Sequence, residues 1–233
     1  MKTKTLNWLQ VVFYSLFPGA MVGMFYFLTG PFFIEKGYPA IFVLCLAVIF
    51  VLVPLEVGIM IWVKKRQGKV ILFEKSNLDW KRGILWVVGL VCYSGIIFAT
   101  IGKIVVTWLK QTVFAFMPSW SIENAFEGDH TVLVWTFVLV MIFANVVGPL
   151  VEEFYFRGFI LSRMPKRAVT SVVMSALLFA LYHFWSPWDF VARTVMVIPF
   201  GYAVQKTGNI WISIAAHISV NIISSISLIT LIA

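Results

Sequence analysis

An all-α bundle of membrane-spanning helices is the fold class this sequence predicts, and three observations predict it. Hydrophobic residues make up 61% of the 233 and charged residues only 12%, against about 45–50% and about 25% in soluble globular domains. The apolar residues come in runs near the length of about 20 residues that an α-helix needs to cross a hydrocarbon core. The basic residues gather in the short segments between those runs, which is how membrane topology is encoded. Together these exclude a disordered chain, a collagen-like fibre and an ordinary cytosolic enzyme. In a soluble domain the net charge of +8 would point to nucleic acid. Here the interhelical loops account for it, and no nucleic-acid partner is expected.

Taken in order, the first span is 6–28. Lys2 and Lys4 precede it as in a signal peptide, but its 23 uncharged residues exceed a signal core of about 7–15, and no small-residue cleavage site follows. Span 38–63 comes next, then the longest polar stretch, 64–82, then span 83–102. The stretch 104–120 is apolar but carries Lys110 and Pro118, so it reads as interfacial or as a poorer eighth span. Span 131–149 follows. Two shorter spans, 168–184 and 190–204, are separated by the turn-like Trp185-Ser186-Pro187-Trp188-Asp189, and 210–232 is the last. Seven helices are expected, or eight if 104–120 crosses. With seven and the N-terminus inside, fourteen Lys and Arg fall on the inner side. Only Lys36, Lys103, Lys110 and Arg193 fall outside, with the acidic segment 123–129. That asymmetry places the N-terminus in the cytoplasm. Cys45 and Cys92 each lie inside an apolar run, which suits packing better than a disulfide or a zinc site. No repeat or soluble domain is apparent. The chain divides into N-terminal membrane helices (1–130), a chemistry-bearing helix core (131–225) and the end of the last helix (226–233).

Ionisable side chains at membrane depth are costly, so each marks a candidate function. Of three histidines, His130 falls in the loop Gly128-Asp129-His130 and reads as solvated. His183 and His217 both lie inside apolar runs. So does the pair Glu152-Glu153, within Gly148-Pro149-Leu150-Val151-Glu152-Glu153-Phe154-Tyr155-Phe156-Arg157. Glu153 and Arg157 are four apart and share a helix face, so they read as an ion pair. Glu152 points about 100° away and has no partner in its segment; it is the carboxylate expected to do chemistry. At about 1.5 Å rise per residue, Glu152 lies about 16–18 Å from the basic residues 163–167, His183 about 22–24 Å, and His217 about 12 Å from the loop 205–209. The three can therefore meet. Asn221, four residues after His217, shares its face, and Gly148-Pro149 is a place for a bend beside a wet cavity. Glu56 after Pro54 reads as a packing or cavity residue, Arg193 as snorkelling, and Tyr155 and Tyr182 as aromatic core.

No Ser or Cys has a clear basic partner, and no His-Glu-x-x-His occurs. What remains is hydrolysis by activated water. Glu152 is the candidate general base and His183 holds the water. His217 and Asn221 donate to the oxyanion of the tetrahedral intermediate. The same Glu152, His183 and His217 form a set that holds catalytic zinc elsewhere, so a divalent metal such as zinc stays open and no cofactor is committed. The metal-free version is preferred, because the sequence offers no evident carboxylate to orient a metal-bound His217.

Three segments, in order, resemble the motifs of the CAAX protease and bacteriocin-processing (CPBP, or Abi) family, which includes the type II CAAX prenyl endopeptidases. They are Glu152-Glu153-x-x-x-Arg157, Phe179-x-x-x-His183 and His217-x-x-x-Asn221. The resemblance covers about 131–225. It implies an intramembrane glutamate-dependent endopeptidase, with Glu152 and His183 activating water, His217 and Asn221 at the oxyanion, and Glu153, Arg157 and Phe179 supporting the site. It further implies a membrane-associated peptide or protein substrate, prenylated or not. A short chain of bacterial type implies a plasma-membrane location and a role in peptide maturation or bacteriocin immunity. Two other classes compete: a proton-coupled transporter, since buried Glu and His also build relays, and a non-catalytic scaffold locked by polar contacts. The repeated halves common in transporters are not seen.

Overall fold

The computed structural model describes residues 5–67, 78–117, 129–165 and 169–229, and among these the regular structure is entirely helical. The basic residues Lys2, Lys4, Lys69, Lys75, Lys166 and Arg167, and most of the acidic segment 123–129, lie outside the described residues.

Among the described residues seven long helices run in sequence. Helix α1 (Trp8–Glu35) starts at Asn7, whose side chain accepts from the Gln10 amide while Gln10 returns the bond to the Asn7 amide. This reciprocal cap satisfies donors that a helix start otherwise leaves orphaned. Helix α2 (Ala40–Arg66) follows Pro39, and α3 (Trp80–Gln111) follows Asp79. Helix α4 (His130–Arg163) is capped by Asp129, which accepts from the Thr131 amide at 2.9 Å. Helices α5 (Val169–Tyr182), α6 (Phe190–Thr207) and α7 (Ile210–Ile229) complete the bundle. Gly208 ends α6 in the left-handed region at φ 65°, a conformation open to glycine without a Cβ penalty.

Helices α1 to α4 are long and apolar enough to cross a membrane. Their exposed surfaces are unusually apolar: Leu9 is 80% exposed, Leu28 73% and Leu85 70%. Helix α5 is shorter; its 14 residues extend about 21 Å, less than a hydrocarbon core of about 30 Å. Of the two readings of 104–120, interfacial stretch or eighth span, the described residues show no separate helix. Residues 104–111 continue α3 without a break, because neither Gly102 nor Lys103 interrupts the ladder there; the turn comes only after Gln111. Residues 118–120 lie outside the described part.

Helices α2, α3 and α4 carry π-helical segments, two of them flanking the acidic pair: Val140–Val147 and Phe154–Ile160. Pro149 has no amide to donate, and the ladder is already in its wider register just before it. Such wide turns re-aim side chains and free carbonyls, and they recur at functional sites. The core between α1, α2, α4 and α5 is aromatic: Tyr155, Phe156, Phe159, Phe179 and Tyr182 are all at most 2% exposed. Helix α1 reaches α5 at Gly19, where a Cβ would fall 2.0 Å from the Tyr182 carbonyl oxygen. Only glycine permits that approach.

Candidate active site

Three helices bring the polar residues together. Helix α4 supplies Glu152, Glu153 and Arg157. The chain just past the end of α5 supplies His183, and α7 supplies Ser213, His217 and Asn221. The two glutamates are successive on α4, so they face different partners.

Glu153 is fully buried. Its Oε1 lies 3.0 Å from Arg157 Nη1 one turn on, and 3.0 Å from His217 Nδ1 on α7. The Arg157 contact is ionic without hydrogen-bond alignment, since that Nη1 has no aligned acceptor. Glu153 Oε2 accepts from the Ser213 hydroxyl. Glu153 therefore does more than pair with Arg157: it collects a guanidinium, an imidazole N–H and a hydroxyl. A buried carboxylate is tolerated when its oxygens are satisfied in this way. Here one sequence expectation is corrected. His217 does have an orienting carboxylate, and it is Glu153. The two are 64 residues apart in the chain, a pairing that local spacing could not reveal.

Glu152 faces His183. Its Oε1 lies 3.9 Å from His183 Nε2, and it is 6% exposed. His183 Nδ1 lies 2.8 Å from the Phe179 carbonyl oxygen. A carbonyl only accepts, so Nδ1 carries hydrogen, and in the neutral ring Nε2 presents its lone pair toward Glu152. The Phe179 ring is the platform beneath the site: His183 stacks edge-on at 4.8 Å between centroids, His217 at 6.0 Å, and the Arg157 guanidinium sits 4.4 Å above it. Asn221 donates from Nδ2 to the Ala144 carbonyl oxygen at 3.2 Å, inside the first π segment of α4, which leaves it one further N–H. His130 begins α4 on the exposed surface.

Several neighbours have no sequence signal that pairs them with the site. Ser213 is the exception: it lies four residues before His217, on the same face, and that spacing could have found it. Arg193 does not merely snorkel. It pairs with Asp189 at 3.0 Å and with Ser186 Oγ at 3.1 Å, and it lies within electrostatic range of Glu152 and His183. Glu56 on α2 is fully buried and accepts from the Tyr182 hydroxyl at 2.9 Å. An apolar groove of about 450 Å³ beside Trp86, Leu90, Tyr93 and Pro199 lies between α3 and α6, and none of its lining belongs to this cluster. Among the described residues no three His, Cys, Asp or Glu side chains close around a point where a metal ion could sit. The set Glu152, His183 and His217 thus does not fit a metal as it stands.

A bundle of apolar helices encloses two acids, two imidazoles and a guanidinium in one cluster. Residues 134–223 match the family model described as type II CAAX prenyl endopeptidase Rce1-like, so this stretch, which holds all three motifs, is similar to that family. The match supports a CAAX-type intramembrane protease in general. No curated protein and no solved structure matches the chain.

Proposed function

We propose that the protein is a glutamate-dependent intramembrane endopeptidase that works without a metal. The observation that carries this is the Glu152–His183 approach at 3.9 Å, with the His183 tautomer set by the Phe179 carbonyl. Two acceptors that share one water, each about 2.8 Å from it, stand about 4–4.5 Å apart, so the 3.9 Å gap has to widen by a few tenths of an ångström to take one. Water between them donates both hydrogens, and its lone pairs point outward to a peptide carbonyl. Glu152 takes a proton as the water oxygen bonds to the carbonyl carbon. It returns that proton to the amine nitrogen as the C–N bond breaks. The developing oxyanion is met by the free Asn221 N–H and by His217 Nε2. Since His217 Nδ1–H is committed to Glu153, donation from Nε2 requires the ring to carry both protons, with Glu153 as counter-charge.

The substrate class in this reading is a membrane-associated peptide or protein. The role is maturation or immunity of bacterial type, the membrane is the plasma membrane, and the N-terminus is cytoplasmic, as the Lys and Arg asymmetry supports. The test compares membrane peptides in cells carrying the wild-type chain and Glu152→Ala. Peptides that accumulate in the variant and are cleaved by the purified wild-type protein are the expected result. Equal turnover of such a peptide by both proteins would refute the assignment.

A further inference from the structure

Among the described residues, Glu56 is the one fully buried carboxylate that the hydrolysis above does not use. Its surroundings are specific. One oxygen accepts from the Tyr182 hydroxyl at 2.9 Å, and the other, Oε2, has no hydrogen-bond partner. Leaving such a group in an apolar core is costly, so a packing role alone gives no reason for a carboxylate where a leucine would fit. Tyr182 is the last residue of α5 and precedes His183 directly. Three helices hold it. Gly19 of α1 lets the helix close onto its backbone carbonyl, Phe156 of α4 meets its ring at 5.1 Å between centroids, and Glu56 of α2 holds its hydroxyl. The Tyr182 ring in turn lies edge-on to the His183 ring at 5.0 Å. His183 itself is past the α-helical ladder: its amide donates to the Ala180 carbonyl oxygen at 3.3 Å and its carbonyl accepts from the Ser186 amide at 3.0 Å, while its ring is anchored by one bond to Phe179 and by ring contacts.

We infer that Glu56 and Tyr182 are positioning residues: their hydrogen bond ties α2 to the end of α5 and sets the His183 ring against Glu152. The inference rests on the proposed hydrolysis for its consequence, but the geometry it claims can be read without any substrate. A helix end that frays by one bond swings its next residue, and a reacting group displaced by about 1 Å can lose about 100-fold in rate.

The test uses the full chain in lipid nanodiscs with Tyr182→Phe, Glu56→Leu and Glu56→Gln. The rate of His183 modification by diethylpyrocarbonate, read by peptide mass spectrometry with exposed His130 as internal control, reports the imidazole's position. It should rise severalfold in Tyr182→Phe and Glu56→Leu and stay near wild type in Glu56→Gln, which keeps an acceptor for the Tyr182 hydroxyl. On a peptide cleaved by the wild type, kcat should fall about 10–100-fold in the first two variants, with KM little changed and recovery in Glu56→Gln. A wild-type His183 rate in Tyr182→Phe, or Glu56→Gln behaving like Glu56→Leu, would overturn the inference. Undiminished cleavage by Glu152→Ala in the same assay would overturn the protease reading instead, while the modification rates would still decide the positioning claim.

Discussion

The Glu153–Arg157 pair gives the sharpest test of how this site is built. Glu153→Leu leaves the Arg157 guanidinium buried with no carboxylate, at 3% exposure, and stranding a buried charge costs about 3–5 kcal/mol. Arg157→Met strands Glu153, but Ser213 and His217 still donate to it, so its loss belongs at the lower end, about 3 kcal/mol. If the two sites acted independently, the double variant would lose about 6–8 kcal/mol. As a pair replaced by apolar side chains of similar volume, it should lose clearly less than that sum, because both buried charges vanish together; the Ser213 hydroxyl and the His217 Nδ1–H, left without their acceptor, keep part of the loss, about 1–3 kcal/mol each. The assay is the unfolding free energy of the four proteins in mixed micelles under SDS titration. A loss in the double variant smaller than the sum of the single losses, with a coupling of about 2 kcal/mol or more, is expected. Additive losses would refute the claim that the pair is one electrostatic unit. Catalysis should not recover with stability: His217 has lost its orienting carboxylate in the double variant, and a reacting group displaced by about 1 Å can lose about 100-fold in rate. Full turnover there would refute the role given to Glu153.

Other outcomes follow from the same geometry. Glu152→Gln, His183→Ala and His217→Ala should each abolish cleavage while the protein still inserts, and normal turnover in all three would end the protease reading. Asn221→Ala should lower kcat by about 100–1,000-fold, the usual cost of one oxyanion donor, and an unchanged kcat would assign Asn221 to its Ala144 contact alone. Exhaustive chelation should leave turnover intact with no stoichiometric metal by elemental analysis. One metal per chain, lost in His217→Ala, would reverse the metal-free mechanism and keep the protease. Gly19→Leu should unfold the α1–α5 contact, since even a Cβ meets the Tyr182 carbonyl at 2.0 Å; wild-type stability by the SDS assay would show that the helices separate at no cost.

The amino-acid sequence by itself determined the solvent and the elements. The length of each apolar run and the placement of Lys and Arg dictate helices in lipid, because backbone groups there must bond within their own segment. The same logic singled out Glu152, Glu153, His183 and His217: an ionisable group stands out against an apolar run because its desolvation is local to its own helix. Arg157 was legible for a related reason, being one turn from Glu153. What the tertiary structure alone decided are the partners across helices. Glu153 serving His217, Glu152 serving His183 and Glu56 holding Tyr182 join residues 64, 31 and 126 positions apart, and helical periodicity carries no information on which faces of separate helices will meet. The continuity of α3 through Gln111 was hidden too, since a lysine in an apolar stretch reads as an interface until the neighbouring helices show otherwise. Likewise the π segments of α4 left no local mark: they set which way Arg157 and the Ala144 carbonyl point, and that choice belongs to packing against α7 and α5.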